Sequence, residues 1–329
     1  MDVGGADGKG RGGQDMISGH HHISMFTKDL EENNHFYTEV LGLRRVKISV
    51  NQGDVRMYHV FYGDAEGSPG NDLTFFEMPN IGKTHRGTNM ISGISLLVPS
   101  HDSLEYWGRR LDSYKVDHDG ISSYAGREAL RFRDPDGLVL ILLNHENKDI
   151  PEAWRPWEEN DIEDAHRILG MGTVEITVED KGTLTSLLHT MFGYTITQED
   201  KEETLLEAVE GEAFGEVLVR RGSGGRARAG RGSVHHLAIK SKSRPLAEWD
   251  RMLKEAGYMT TGVKDRYYFE SLYFKEENGI MFEIVGPDGR GFTADRDFEE
   301  LGEGLDLPPF LENRRDEIED GLRPIEEWT

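Results

Sequence analysis

Four segments of the chain share one grammar: an apolar strand, an amphipathic helix, then two or three further strands. The first runs from HHISMFTKDLEENNHFYTEVLGLRRVK to the strand DLTFFEM at 72–78. The second opens with ISGISLLV at 91–98, continues with the helix SLEYWGRRLDSY and closes with DPDGLVLILL at 134–143. The third opens with GTVEITV at 172–178, carries the helix KGTLTSLLHTMFGY and closes with FGEVLVRR. The fourth opens with SVHHLAIK at 233–240, carries PLAEWDRMLKEAGY and closes with GIMFEIVG at 279–286. Each helix stops at a Gly or a polar turn before the strands that follow.

One such unit, roughly 55–65 residues, is too small to cover both faces of its own sheet. Two units together can curl into a half-open barrel around a shared cavity. The expected fold is therefore α+β: four βαβββ modules paired into two half-open barrel domains. Sequential pairing gives an N-terminal domain at 16–148, a linker rich in Pro, Trp and acids at 149–167, and a C-terminal domain at 168–290. A flexible Gly-rich start at 1–15 precedes them and an acidic tail at 291–329 follows, expected to pack over the outside or the cavity mouth. The run GSGGRARAGRGS at 222–233 reads as a solvated loop, because no aromatic residue is interleaved with its arginines.

Composition narrows the chemistry. The chain has no cysteine, which excludes disulfides, Zn–thiolate sites, Fe–S clusters and thiol nucleophiles, so any metal must be held by His, Asp or Glu. A formal net charge of −23 argues against nucleic acid or an anionic membrane as partner, since both need cationic surface. No apolar run approaches the ~20 residues of a membrane span, and the first fifteen residues lack the apolar stretch of a signal peptide. A cytoplasmic location is the expectation.

Superposing the four opening strands singles out a site. His22-Ile23-Ser24 of the first unit falls opposite His236-Leu237-Ala238 of the fourth, where the second and third units have Ser95 and Glu175. On the closing strands, Glu283 falls opposite Ile141 and Val219. A lone His on a strand is ordinarily a core or surface residue. Two at one repeat position, with an ionised Glu where sister units place aliphatics, need a compensating charge. A divalent metal supplies it. Two neutral imidazoles and one carboxylate form a facial triad that leaves three adjacent coordination positions open. His59, Tyr58 and Tyr62 read as structural strand residues.

The motifs HHHIS, YHVFYGD, GSPGNDLTFF, RGSVHHLAI, DRYYFESLYF and GIMFEIV together resemble the ring-cleaving dioxygenases of the vicinal-oxygen-chelate superfamily, in particular the hydroquinone dioxygenases. The resemblance extends from about Ile17 to the tail. It implies the vicinal-oxygen-chelate fold and Fe(II) held by His22, His236 and Glu283, with Mn(II) as the alternative metal. It also implies O2 as co-substrate, a small aromatic substrate, and His21, His235, Arg266 and Tyr273 as catalytic neighbours. Arg266 would stabilise an anionic oxygen, and His21 and His235 would accept a proton from a substrate hydroxyl. Tyr273, ten positions before Glu283 in a short hairpin, would donate to a coordinated oxygen. One departure is Tyr267, where a Gly is common in the family. Exposed edge strands in such sheets favour pairing into a homodimer.

Two other readings compete. A glyoxalase-like isomerase or lyase would recruit Glu77 to make a four-ligand site with His22, His236 and Glu283. Strand alternation speaks against it, because Glu77 falls out of phase with the position matching Glu283. A non-catalytic sequestering protein of the same fold would lack the triad altogether.

Overall fold

The computed structural model describes residues 16–209, 211 and 214–325, so the expected flexible start at 1–15 lies outside the described residues. Every module is βαβββ. The first comprises β1 (Ile17–Thr27), α1 (Leu30–His35, continued by a π-turn over Phe36–Val40), β2 (Arg44–Asn51), β3 (Asp54–Gly63) and β4 (Asp72–Glu77). The second comprises β5 (Met90–Val98), α2 (His101–Ser113), β6 (His118–Tyr124), β7 (Arg127–Arg133) and β8 (Val139–Asn144). The third comprises β9 (Gly170–Val178), α3 (Lys181–Ser186, with a π-turn over Leu187–Met191), β10 (Thr195–Glu199), β11 (Glu203–Glu207) and β12 (Val217–Arg221). The fourth comprises β13 (Val234–Ser241), α4 (Leu246–Glu255), β14 (Lys264–Asp265), β15 (Phe269–Lys275) and β16 (Met281–Gly289). Among the described residues, no helix is long and apolar enough to cross a membrane.

Local chemistry explains these starts and faces. Asp29, Ser100 and Asp180 cap α1, α2 and α3 by accepting backbone N–H groups of the first turn, at 3.0, 3.3 and 3.1 Å. Helices α2 and α4 bury the same triplet spacing, Leu104-Trp107-Leu111 and Leu246-Trp249-Leu253, which forms one stripe against the sheet. Both Trp rings are fully buried, and their N–H groups are satisfied by His166 O and Ser241 Oγ. Strand β8 is buried over Val139–Leu143 and reads as a continuous aliphatic run, as a strand covered on both faces should.

The sheets correct the expected pairing of modules. One eight-stranded sheet runs β14-β15-β16-β13-β1-β4-β3-β2 and joins the fourth module to the first. The other runs β10-β11-β12-β9-β5-β8-β7-β6 and joins the third to the second. Residues 149–167 therefore connect two modules of one sheet instead of separating two barrels. The real crossovers are 78–89 and 222–233, which pair with each other through the bridges Lys83–Arg231, His85–Arg228 and Thr88–Arg226. Their glycines follow from this close approach: a Cβ on Gly87 would lie 2.2 Å from Gly225 O, and one on Gly230 2.5 Å from Gly82 O. The Gly/Arg run expected as a solvated loop is thus one half of a paired crossing.

The tail beyond β16 covers the outer edge of β2. Asp306 N donates to Ile48 O at 2.7 Å, and Leu307, Leu311, Ile318 and Leu322 of α5 (Pro309–Glu312), α6 (Arg315–Gly321) and their flanks pack on Val50. An otherwise open strand edge is thereby closed.

Candidate metal centre

The central strands β1 and β13 are antiparallel, with His22 opposite Ala238 and Ser24 opposite His236. Strand β16 runs parallel to β13 and sets Glu283 beside Ala238. Two register pairs thus bring residues more than two hundred positions apart to one point. Glu283 Oε2 lies 3.0 Å from His22 Nε2 and 2.9 Å from His236 Nε2, and the two nitrogens are 3.1 Å apart. The three atoms form a nearly equilateral triangle. Metal–ligand bonds of about 2.1 Å put neighbouring octahedral donors ~3.0 Å apart, whereas tetrahedral donors spread to ~3.4 Å. The triangle has the size of one octahedral face.

All three side chains are buried, at 3%, 2% and 1% exposure. Neither Glu283 oxygen accepts a directed hydrogen bond, although both imidazoles are at ion-pair distance. Burial opposes ionisation of Glu283, but His22 and His236 outweigh it and hold the carboxyl well below its usual range. An anionic buried carboxylate facing two imidazole nitrogens, with no donor aimed at it, is a donor set that fits a divalent cation.

Behind each imidazole stands a second one. His21 Nδ1 is 2.9 Å from His22 Nδ1, and His235 Nδ1 is 2.7 Å from His236 Nδ1. Burial pushes His21 well below the normal imidazole range and His235 down to about 4, so both are neutral and can accept. A His whose Nε2 serves a metal carries its proton on Nδ1, and these neighbours are placed to receive it. The expectation that His21 meets the substrate therefore needs correction: its ring packs against Phe269 and Phe292, and it is not part of the cavity wall. His235 does line the cavity. His20, first of the triplet, stands apart, with both ring nitrogens unpartnered and burial pushing its pKa down to about 3.

The triad opens on a cavity of about 540 Å³, within the range of small-molecule sites. Phe61, Phe76, Phe269 and Phe292 supply aromatic wall. The β15–β16 hairpin puts Tyr273 directly opposite Glu283, with its ring edge-on to His236 at 5.2 Å. Burial first, then the Glu283 charge, raises the Tyr273 phenol well above its usual pKa, so it is a proton donor. The Arg266 guanidinium lies 5.7 Å from the Tyr273 ring centre, and its backbone is fixed by bonds to Phe269 O and from Gln52 Nε2. Beside it, Tyr267 has φ +71°, the left-handed region, which explains why Gly suits this position. Here Tyr takes about 1–2 kcal/mol of strain, and Asp265 Oδ1 accepts its N–H at 2.7 Å.

Sequence reasoning missed Ser24 and Thr74. Ser24 Oγ sits 3.1 Å from His236 Nε2 and 2.7 Å from Thr74 Oγ1, which in turn meets His59 Nε2 at 2.9 Å. The period of two places Ser24 on the face of His22, a signal that was available. His59, expected to be structural, lines the cavity, whereas Tyr62 stacks on Tyr37 in the core.

Glu77 does not join the triad. Ser24 pairs with Thr74 as Ala238 pairs with Glu283, so the matching position is Thr74, and Glu77 lies three residues further along. Its Oε1 accepts from Arg323 Nη2 at 2.7 Å and from Leu30 N at 3.2 Å. Glu77→Ala should leave metal content unchanged and lower stability by about 1–2 kcal/mol, limited by the solvent reaching Arg323. Metal analysis beside a thermal melt checks both; loss of metal would return Glu77 to the site.

The chain belongs to the glyoxalase/bleomycin resistance protein/dioxygenase superfamily, whose profile matches residues 19–142. The Bacillus subtilis (strain 168) protein named "Putative ring-cleaving dioxygenase MhqA" is 43% identical over 318 residues, covering 94% of this chain and 99% of that protein. A Bacillus subtilis crystal structure named "putative dioxygenase" superposes with a TM-score of 0.86 at 29% identity, over 95% of this chain and 98% of that one. The chlorohydroquinone/hydroquinone 1,2-dioxygenase of Sphingobium indicum is 26% identical over 312 residues, 92% of this chain and 95% of that protein.

Proposed function

We propose that this protein is a ring-cleaving dioxygenase acting on substituted hydroquinones, with Fe(II) held by His22, His236 and Glu283. The observation that carries the reading is the 3 Å donor triangle at the floor of an aromatic-walled cavity. The relatives named for ring cleavage and for hydroquinone support it. Fe(II) at three facial donors supplies redox chemistry with O2 and open positions for the substrate oxygen. Both atoms of O2 enter the product and one ring C–C bond breaks, so no external reductant is consumed.

The chain's own residues have separable tasks. His235, neutral and at the cavity wall, accepts from His236 at Nδ1, so it carries its own proton on Nε2 and serves the substrate oxygen as a hydrogen-bond donor. Arg266 favours the substrate oxygen in its anionic form, and Tyr273, opposite Glu283, would serve as proton donor to the reacting ring. His21 keeps the His22 ring in register. The phenylalanine walls orient the ring and exclude water.

The test is anaerobic reconstitution with Fe(II), then O2 uptake against a panel of hydroquinones and catechols. Para-dihydroxy rings should be preferred over ortho-dihydroxy rings by at least tenfold in kcat/KM. A polar partner left unpaired by the wrong isomer costs roughly 1–3 kcal/mol. Catechols preferred tenfold would defeat the hydroquinone assignment and leave the metal site standing.

A further inference from the structure

Lys47 on β2 is the most buried cation of the cavity wall, with 1% of its side chain exposed. Its Nζ lies 3.2 Å from Asp306 Oδ2 and 3.3 Å from Asp295 Oδ1, both from the segment that follows β16. Tyr268 OH donates to Asp295 Oδ2 at 3.2 Å, and Arg296 Nε bonds Asp306 Oδ1. Lys47 and Arg296 thus face two aspartates in a neutral knot. Burying this knot costs desolvation that an aliphatic wall would avoid, so packing alone does not account for the ammonium.

An ammonium has three N–H donors. Two are directed at the aspartates. The ammonium also lies over the Tyr268 ring, 4.4 Å from its centre, and both residues line the cavity, which leaves the third N–H without an oxygen partner among the described residues. Location adds a second constraint. One register row runs Ser24, Thr74, Phe61, Lys47 across β1, β4, β3 and β2, and Ser24 touches His236. Lys47 therefore stands three strand steps from the metal triad, roughly 14 Å along the curved wall. The cavity that both Lys47 and the triad line lies between the two ends of this row.

We infer that Lys47, held in place by Asp295 and Asp306 of the C-terminal segment, donates to the oxygen substituent on the ring edge remote from the metal, and so selects para-oxygenated rings. The inference rests on the ring-cleaving reading for its substrate class. It makes the tail part of the binding site and Lys47 a specificity residue.

The test is anaerobic calorimetric titration of the Fe(II)-reconstituted protein with methylhydroquinone and with o-cresol, which lacks the second hydroxyl. In K47M, the Kd for methylhydroquinone should rise roughly 10-fold to 100-fold, while that for o-cresol stays within about twofold and K47R recovers part of the loss. If K47M does not fold, K47M/D306N, which also neutralises the stranded carboxylate, gives the same reading. Equal losses for both ligands, or none for methylhydroquinone, overturn the inference. O2-dependent cleavage by the wild type together with an unchanged methylhydroquinone Kd in K47M sinks the inference alone. Lys47-dependent hydroquinone binding without O2 uptake sinks the ring-cleaving reading and leaves the inference standing.

Discussion

Glu283→Ala should yield a folded protein that holds no stoichiometric divalent metal and shows no O2 uptake. Glu283 is the sole carboxylate of the triad, 1% exposed, and supplies the anion that two neutral imidazoles cannot. Losing a partner outside the ligand set commonly costs 10–100-fold in metal affinity, so deletion of a ligand should exceed about 100-fold. The fold should survive, because the strands that carry the triad are held by backbone ladders and their flanking aliphatic core, which the change leaves intact. Thermal melts give a readout independent of turnover. Saturating metal at a thousand times Kd stabilises the wild type by about 4 kcal/mol, and the variant should gain nothing. A Glu283→Ala protein that keeps one iron per chain would sink the assignment. His22→Ala and His236→Ala should behave alike.

Tyr273→Phe should separate binding from chemistry. The change removes one hydroxyl and keeps the ring edge against His236, so packing and iron loading should persist. Turnover should fall by about 10²–10⁴-fold if the phenol is the proton donor proposed above. The loss should appear in kcat and in kcat/KM to the same extent, as for an interaction made only in the transition state. Wild-type turnover would return Tyr273 to the role of a core aromatic. Arg266 offers a contrast: Arg266→Met should weaken binding of the anionic substrate as well as turnover, because its charge acts on the bound state.

Much of the site was legible before any coordinates. Repeat alignment placed His22 and His236 at equivalent positions, and an acid among aliphatics marked Glu283. The structure brings the three together within 3.1 Å. The hairpin spacing put Tyr273 beside Glu283, and the register pairs them directly. The role of His21 came from the resemblance alone, and alternation of faces by itself would turn it away from the cavity that His22 faces. The register shift between His20 and His22 disturbs that alternation, and His21 turns to support the His22 ring. Glu77 was rightly set apart, although from the wrong register. The match is Thr74, and parallel pairing across β1 and β4 is not visible in one strand alone.

By itself the sequence determined the local units: four βαβββ modules, the Leu-Trp-Leu stripes of α2 and α4, and the residue types able to hold a metal. Those features repeat at periods of two and about three and a half residues, so neighbouring positions carry them. Which modules share a barrel was decided only in three dimensions. Sequential pairing would have put His22 and His236 in separate cavities, and it is the β1–β13 ladder that joins the first module to the fourth, with the crossovers at 78–89 and 222–233 carrying the chain between the two sheets. The same holds for Lys47, an unremarkable strand lysine until the tail folds back over β2. Its partners Asp295 and Asp306 lie 248 and 259 residues away, and His22 and His236 are 214 apart. Contacts across such separations depend on the whole chain's loop closures and packing, which no local pattern encodes.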